Sequence, residues 1–248
     1  MLGIVVALPW ELKTLTRQTL QAGTCRPIRD NIIVALSGIG AERAYAVAAL
    51  LLSQGATALL SWGCAAALDD RLSAGNVLLP HCVIGASGEN HPVSIQWHRQ
   101  LYQTLSAQYS VRTDALVESA ALVKSPSEKQ ALAQRTMAIA TDMESAAHAR
   151  FARQHRLPFI VVRAVVDSVS TRLPENVMQS LDPEGEISVR SCLRHVFLQP
   201  ADWMILVKLG IQFRAARKTL KETSAMVLDA SQIYLNSISP DTAISSRG

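Results

Sequence analysis

The 248-residue sequence has only four cysteines, Cys25, Cys64, Cys82 and Cys192, far apart and with no C-x-x-C pair. That scarcity argues against a disulfide framework and against a cysteine zinc site, and it fits a reducing cytoplasm. Charge is sparse too: 18% of residues are charged, 24 Lys and Arg stand against 20 Asp and Glu, and no basic run is longer than Arg217 and Lys218. A formal charge of +4, so dispersed, leaves no footprint for nucleic acid. The six histidines (His81, His91, His98, His148, His155, His195) show no metal-ligand spacing such as H-E-x-x-H, so no metal is expected. The opening MLGIVVALPWEL is apolar. It lacks a basic leader and a small-residue cleavage site, and it is far shorter than the ~20 residues that span a bilayer, so it reads as a buried strand. No internal repeat is present, and no low-complexity linker precedes the C-terminal end.

What the chain does have is apolar residues, at 49%, enough for one large core. Short runs rich in Val, Ile and Leu (residues 2–8, 31–36, 58–62, 76–80, 137–140 and 159–166) alternate with helix-length stretches, of which 41–54 and 143–155 are Ala-rich. This alternation predicts an α/β fold, a three-layer αβα sandwich around a mixed, mostly parallel sheet. Residues 1–200 would form the main domain. A basic amphipathic helix over about 201–230 would pack on it, and 236–248 would be a disordered tail. Residues 167–186, with Pro174, Pro183 and Gly185, read as a long loop after a strand, a candidate lid.

Three acids stand where strands or their loops end: Glu11, Glu144 and Asp167. Ligands of open α/β sheets bind outside the carboxyl ends of strands, so three such carboxylates can share one pocket. Each taken alone is more often structural, a helix cap or helix-start electrostatics. The Gly38-Ile39-Gly40 turn suggests a dinucleotide site, but Arg43 takes the third glycine's place and no acid ends a following strand at the expected distance.

The neighbours of these acids decide between the readings. GIVVALPWEL resembles the opening of methylthioadenosine/S-adenosylhomocysteine nucleosidases, members of the nucleoside phosphorylase and nucleosidase superfamily. SGIGAERAYAVAALLL (37–52) resembles the superfamily's Ser-Gly-x-Gly turn and helix, and SWGCAAAL (61–68) lies over its nucleophile-binding turn. TDMESAA (141–147) resembles the Glu-Met-Glu-Ala-Ala segment, and VVRAVVDSVS (161–170) the strand ending in the aspartate that meets purine N7. The resemblance implies cleavage of the N-glycosidic bond of an adenine nucleoside by a homodimer without a cofactor. Glu11 would activate water, Met143 and Glu144 would hold the ribose, and Asp167 would protonate the base. Gly63, Cys64 and Ala65 would form the turn that faces water or phosphate. Leu8, Trp10, Ser125 and Ser168 are candidates for the purine or 5′ pocket, with Trp97 and the 173–181 loop as further apolar ones.

Phosphorylases of this superfamily carry an Arg after the first strand and another before the glycine-rich turn; here those places read ALPWE and LLSWGC. A nearly dianionic phosphate needs such cations. Cys64 stands where Ser is usual, and Ala66 and Ala67 stand where glycines are usual, which narrows the approach to an anion. Hydrolysis is therefore expected over phosphorolysis, with phosphate a co-substrate only in the second case; Arg43, Arg71 and Arg163 are the cations left to supply it. The blocks LPENVMQSLDPEGEI and HVFLQPADW with the basic helix after them are similar to the hopanoid-associated phosphorylases, which implies a lipid-linked adenine nucleoside, adenosylhopane. The C-terminal helix sets Leu206, Leu209, Phe213, Ala216 and Leu220 beside Lys208, Arg214, Arg217, Lys218 and Lys221, a cover helix or, with Trp203, a membrane-surface one at the inner membrane. Methylthioadenosine or S-adenosylhomocysteine cleavage remains the alternative activity, and a nucleoside-binding protein without turnover the alternative class.

Overall fold

The computed structural model describes residues 1–172 and 203–238. Among the described residues eleven strands form one sheet: β1 (Leu2–Val6), β2 (Thr24–Arg29), β3 (Ile32–Leu36), β4 (Ala58–Ala67), β5 (Val77–Leu78), β6 (Cys82–Ile84), β7 (Asn90–Pro92), β8 (Val111–Arg112), β9 (Leu116–Glu118), β10 (Ala140–Asp142) and β11 (Phe159–Asp167). The helices are α1 (Pro9–Leu15), α2 (Ala41–Ser53), α3 (Ile95–Ser106), α4 (Pro126–Thr136), α5 (Ser145–Gln154) and α6 (Trp203–Ile238). The sheet runs β2-β3-β1-β4-β10-β9-β6-β7, with β11 on the other side of β4 and β5 and β8 beyond it. Parallel pairs join β1 to β3 and β4, β4 to β11, β5 to β8, β6 to β9 and β9 to β10; the remainder are antiparallel. This is the mixed, mostly parallel sheet expected. On one face α2 lies against α5; on the other α6 packs on α1, α3 and β11.

The central strands β1, β3, β4 and β11 are buried from both faces, so their sequences are unbroken apolar runs rather than alternations. Strand β4 is longer than its Val/Leu-rich part predicts. The small residues Gly63 to Ala67 continue it, because β11 on one side and β10 on the other supply partners. The run expected at 137–140 is displaced to Ala140–Asp142: Met137 ends α4 in the left-handed conformation, φ 59°, and is 82% exposed.

Helix α6 buries Gln212, Ala216, Leu220, Thr223, Val227 and Ser231 along one side. It is fastened by aromatic contacts, Trp10 to Phe213 with ring centroids 4.4 Å apart and Trp97 stacked on Tyr234 at 5.1 Å. Trp97 also donates to Ser231 Oγ at 3.1 Å, and Thr219 Oγ1 donates to the Gly75 carbonyl at 2.8 Å. The helix therefore runs past its expected end near 230, and residues 236–238 of the expected tail are helical. The candidate lid beyond Arg172, the block 173–187 and the end of the chain from 239 lie outside the described residues.

Candidate active site

Strand β4 is the frame of the site. Alternate amides of a strand point to opposite edges. Leu59 N donates toward β11, to the Pro158 carbonyl at 2.9 Å, and the odd-numbered Ala67 points the same way, donating to Asp167 Oδ1 at 3.1 Å. Cys64 faces the opposite edge, where β1 has ended and β10 has not begun, and there its N–H donates to Glu11 Oε1 at 2.9 Å. Two of the expected acids are thus fixed to one strand, three residues apart, about 10 Å along it.

Glu11 reaches that gap because Pro9 starts α1 directly after β1. Its Oε2 accepts from Ala7 N at 3.1 Å and Leu8 N at 3.0 Å, the capping use that a sequence reading allows, while Oε1 points across to β4. Glycine lets the carboxylate lie against the strand: a Cβ on Gly63 would come within 2.6 Å of Glu11 Oε1 and push it away. Burial pushes the Glu11 carboxyl above its ordinary range, against the pull of the Arg163 cation and the amide donors. Burial raises the Cys64 thiol well above its usual range, and the adjacent Glu11 carboxylate adds to that, so Cys64 stays a neutral thiol and not a nucleophile.

Glu144 stands at the start of α5 but does not cap it; its Oε1 accepts from Gly40 N at 2.9 Å, across to the turn before α2. Gly40 has φ +106° and ψ 152°, open only to glycine. Burial, then the like charges of Asp142 and Glu11, lift the Glu144 carboxyl to about 8. Glu11 is thus near enough to raise the Glu144 carboxyl. Met143, between Asp142 and Glu144, is half-buried.

Beneath the acids lies a buried polar cluster that no sequence motif announces. Arg163, in the middle of β11, gives Nε to Asp142 Oδ2 at 2.9 Å and Nη2 to Ser61 Oγ at 2.6 Å and Ser145 Oγ at 2.7 Å. Ser145 Oγ in turn donates to Asp142, and Ser61 Oγ meets His148 Nδ1 at 3.0 Å. Burial drives His148 down to about 3, with Arg163 adding to the effect, so the ring is neutral. The spacing of an apolar strand gives no hint that its one arginine points into the protein.

Asp167 also has an unforeseen partner. Lys129 Nζ donates to Asp167 Oδ2 at 2.7 Å and to the Ser168 carbonyl at 2.8 Å, and Lys129 is 0% exposed. A register skip between Val165 and Asp167 sets Asp167 opposite Ala66. Burial raises the Asp167 carboxyl; Lys129 and the Ala67 amide oppose the rise.

The other expected residues divide. Ala65 is registered against Val165 in the β4–β11 ladder, so of the turn Gly63, Cys64 and Ala65 it is Cys64 whose amide faces the acids, and Glu11 takes it. Leu8 supplies an amide to Glu11, and Trp10 is half-buried against Phe213. Ser125 is occupied as the cap of α4, accepting from Glu128 N at 3.2 Å. Ser168 lies beside Asp167, with its hydroxyl near Thr171 at 2.9 Å. Trp97 belongs to the core between α3 and α6, not to a pocket. Arg71 is tied to Asp69 and Arg163 to Asp142, while Arg43 is exposed on the first turn of α2. Among the described residues no cluster of His, Cys, Asp and Glu could hold a metal.

Residues 2–193 match the family described as the phosphorylase superfamily. The chain belongs to it. No curated protein matches. Among solved structures, a 5′-methylthioadenosine/S-adenosylhomocysteine nucleosidase of Helicobacter pylori is similar with a TM-score of 0.67 and 16% identity, over 93% of this chain and 97% of that one. The futalosine hydrolase of Helicobacter pylori follows at 0.65 and 18%, over 92% and 97%. A nucleosidase of Neisseria meningitidis in complex with methylthio-immucillin-A gives 0.64 and 17%, over 92% and 96%. At these identities the superfamily member shares their fold.

Proposed function

We propose that this superfamily member hydrolyses the N-glycosidic bond of an adenine nucleoside. The carrying observation is the seat of Glu11: its carboxylate occupies the Cys64 amide, the donor a nucleophilic anion would use. A phosphate would meet Glu11 and Glu144 at close range, with Arg71 and Arg163 both engaged elsewhere. Water suits the same place, because a carboxylate raised by burial is a competent base for it. Bond cleavage builds positive character on the sugar and negative charge on the base. Glu144 answers the ribose hydroxyls, Glu11 deprotonates the attacking water, and Asp167 protonates the base at N7.

The finer reading, adenosylhopane as substrate, rests on the 173–203 sequence blocks and on the outer side of α6. Val207 and Ile211, 54% and 64% exposed, continue into exposed Arg214, Lys218 and Lys221 at helical spacing. Such a stripe suits the surface of an anionic bilayer, from which a lipid-linked nucleoside would be drawn. No described helix is long and apolar enough to cross a membrane.

The test is adenine release, followed by chromatography, from adenosylhopane in detergent and from methylthioadenosine, each with and without phosphate. Phosphate-independent release that falls about 100-fold or more in Asp167→Asn supports the hydrolase. A strict phosphate requirement overturns it, and release from methylthioadenosine alone removes the lipid-linked substrate. Sedimentation with anionic vesicles that survives charge reversal at Arg214, Arg217, Lys218 and Lys221 removes the membrane contact.

A further inference from the structure

An acid that protonates a leaving base needs a proton, yet Asp167 carries an ammonium 2.7 Å from Oδ2 and an amide on Oδ1. A fully buried lysine is costly unless its charge is answered, and Asp167 is the one carboxylate within ion-pair distance among the described residues. The resting pair is therefore carboxylate and ammonium, and the transferable proton sits on nitrogen.

We propose that Lys129 is a positioning and proton-supplying residue for Asp167, an inference that rests on the nucleosidase reading above. As the glycosidic bond breaks, its electron pair moves onto the base. The proton passes from Lys129 Nζ to Asp167 Oδ2, and the Asp167 carboxyl delivers a proton to N7. Lys129 is left as a neutral amine. Meanwhile Glu11 accepts the proton of the attacking water as its oxygen bonds to the sugar carbon. The cycle closes when Glu11 loses that proton and the pair regains one, so water is the net reactant.

The placement of Lys129 is built in. Ser125 and Glu128 close a capping box at the start of α4, which fixes the first turn that carries Lys129. Leu132, one turn on, enters an apolar cluster with Leu68, Val117, Val123 and Ala138, seating the helix on the sheet. Other charges near the pair are accounted for. β4 has none from Ala58 to Ala67; Arg163 on β11 is turned to Asp142; Glu118 on β9 accepts from Ala147 N; Glu11 is held by Cys64; and α6 meets the loop after Asp167 through uncharged Gln212.

Two readouts separate a proton source from a structural lysine. In infrared difference spectra against Asp167→Asn, the wild type near neutral pH should lack the carbonyl band of a protonated Asp167, and Lys129→Met should show it. A band already present in the wild type overturns the proposal. In adenine release from the nucleoside that the wild type cleaves, Lys129→Met should stay within about tenfold of wild type in mild acid and fall about 100-fold or more in mild alkali. Lys129→Arg should restore the ionised Asp167 in the infrared but not the alkaline activity, since guanidinium keeps its proton. Alkaline activity recovered by Lys129→Arg, or a loss in Lys129→Met equal at every pH, overturns the proton role and leaves the hydrolase reading standing. A wild type inactive on every nucleoside removes both, while the infrared arm still shows whether the ion pair exists.

Discussion

Gly63→Ala is the sharpest perturbation of the site, since it adds one methyl group and no charge. The new Cβ would sit 2.6 Å from Glu11 Oε1, where ordinary contact starts at 3.4 Å, so the carboxylate must retreat by about 0.8 Å. A straight retreat stretches the 2.9 Å bond from Cys64 N to about 3.7 Å, which is no longer a hydrogen bond. Losing a charge-assisted bond costs about 1.5–3 kcal/mol, a factor of about 10–100 in rate if the transition state needs it. Misplacing a catalytic group by about 1 Å costs a similar factor, so kcat/KM should fall about 30- to 100-fold. The assay is adenine release from the nucleoside that the wild type cleaves, run also in a Glu11→Gln background. There the added methyl group should cost little, because the two changes act through one carboxylate. A Gly63→Ala protein within about threefold of wild type, or an undiminished penalty in the Glu11→Gln background, would refute the assignment of Glu11.

Other expectations follow from the same geometry. Gly40→Ala meets no atom within 4 Å but must hold φ +106°, so it should lose about 1–3 kcal/mol of stability and raise KM through the Glu144 anchor; an unchanged melting temperature and KM count against it. Arg163→Met should destabilise by about 3–5 kcal/mol by stranding Asp142, with partial recovery on adding Asp142→Asn; a single-variant loss under about 1 kcal/mol in denaturant melts contradicts the buried network. Glu144, raised to about 8, keeps its proton near neutrality, and ribose hydroxyls favour its anion; nucleoside binding should release a proton, seen as buffer-dependent heat in calorimetry. The same shift makes the unfolded chain, ionising near 4.5, bind fewer protons than the native one up to about 8, so stability falls across that window. The melting-temperature advantage of Glu144→Gln over wild type should accordingly grow with pH between those limits, and a flat difference would contradict the shift.

The fold class was legible because the strands buried on both faces, β1, β3, β4 and β11, must be apolar along their whole length, and that signal survives in one dimension. The two- and three-residue strands β6 to β9 are too short to show any period, and α3 and α4 were passed over because their polar outer faces dilute the apolar stripe. Glu11, Glu144 and Asp167 stood out because chain order alone puts acids at strand ends. Their pairing did not follow from that order. Lys129 meets Asp167 from 38 residues away, and Arg163 meets Asp142 from 21, through contacts that exist only once α4 and β11 are docked. A sequence records which residues carry charge and where the chain turns. Which charges end up within a hydrogen bond of one another, and which are stripped of water and so shifted in pKa, is decided by the packing of segments distant in the chain.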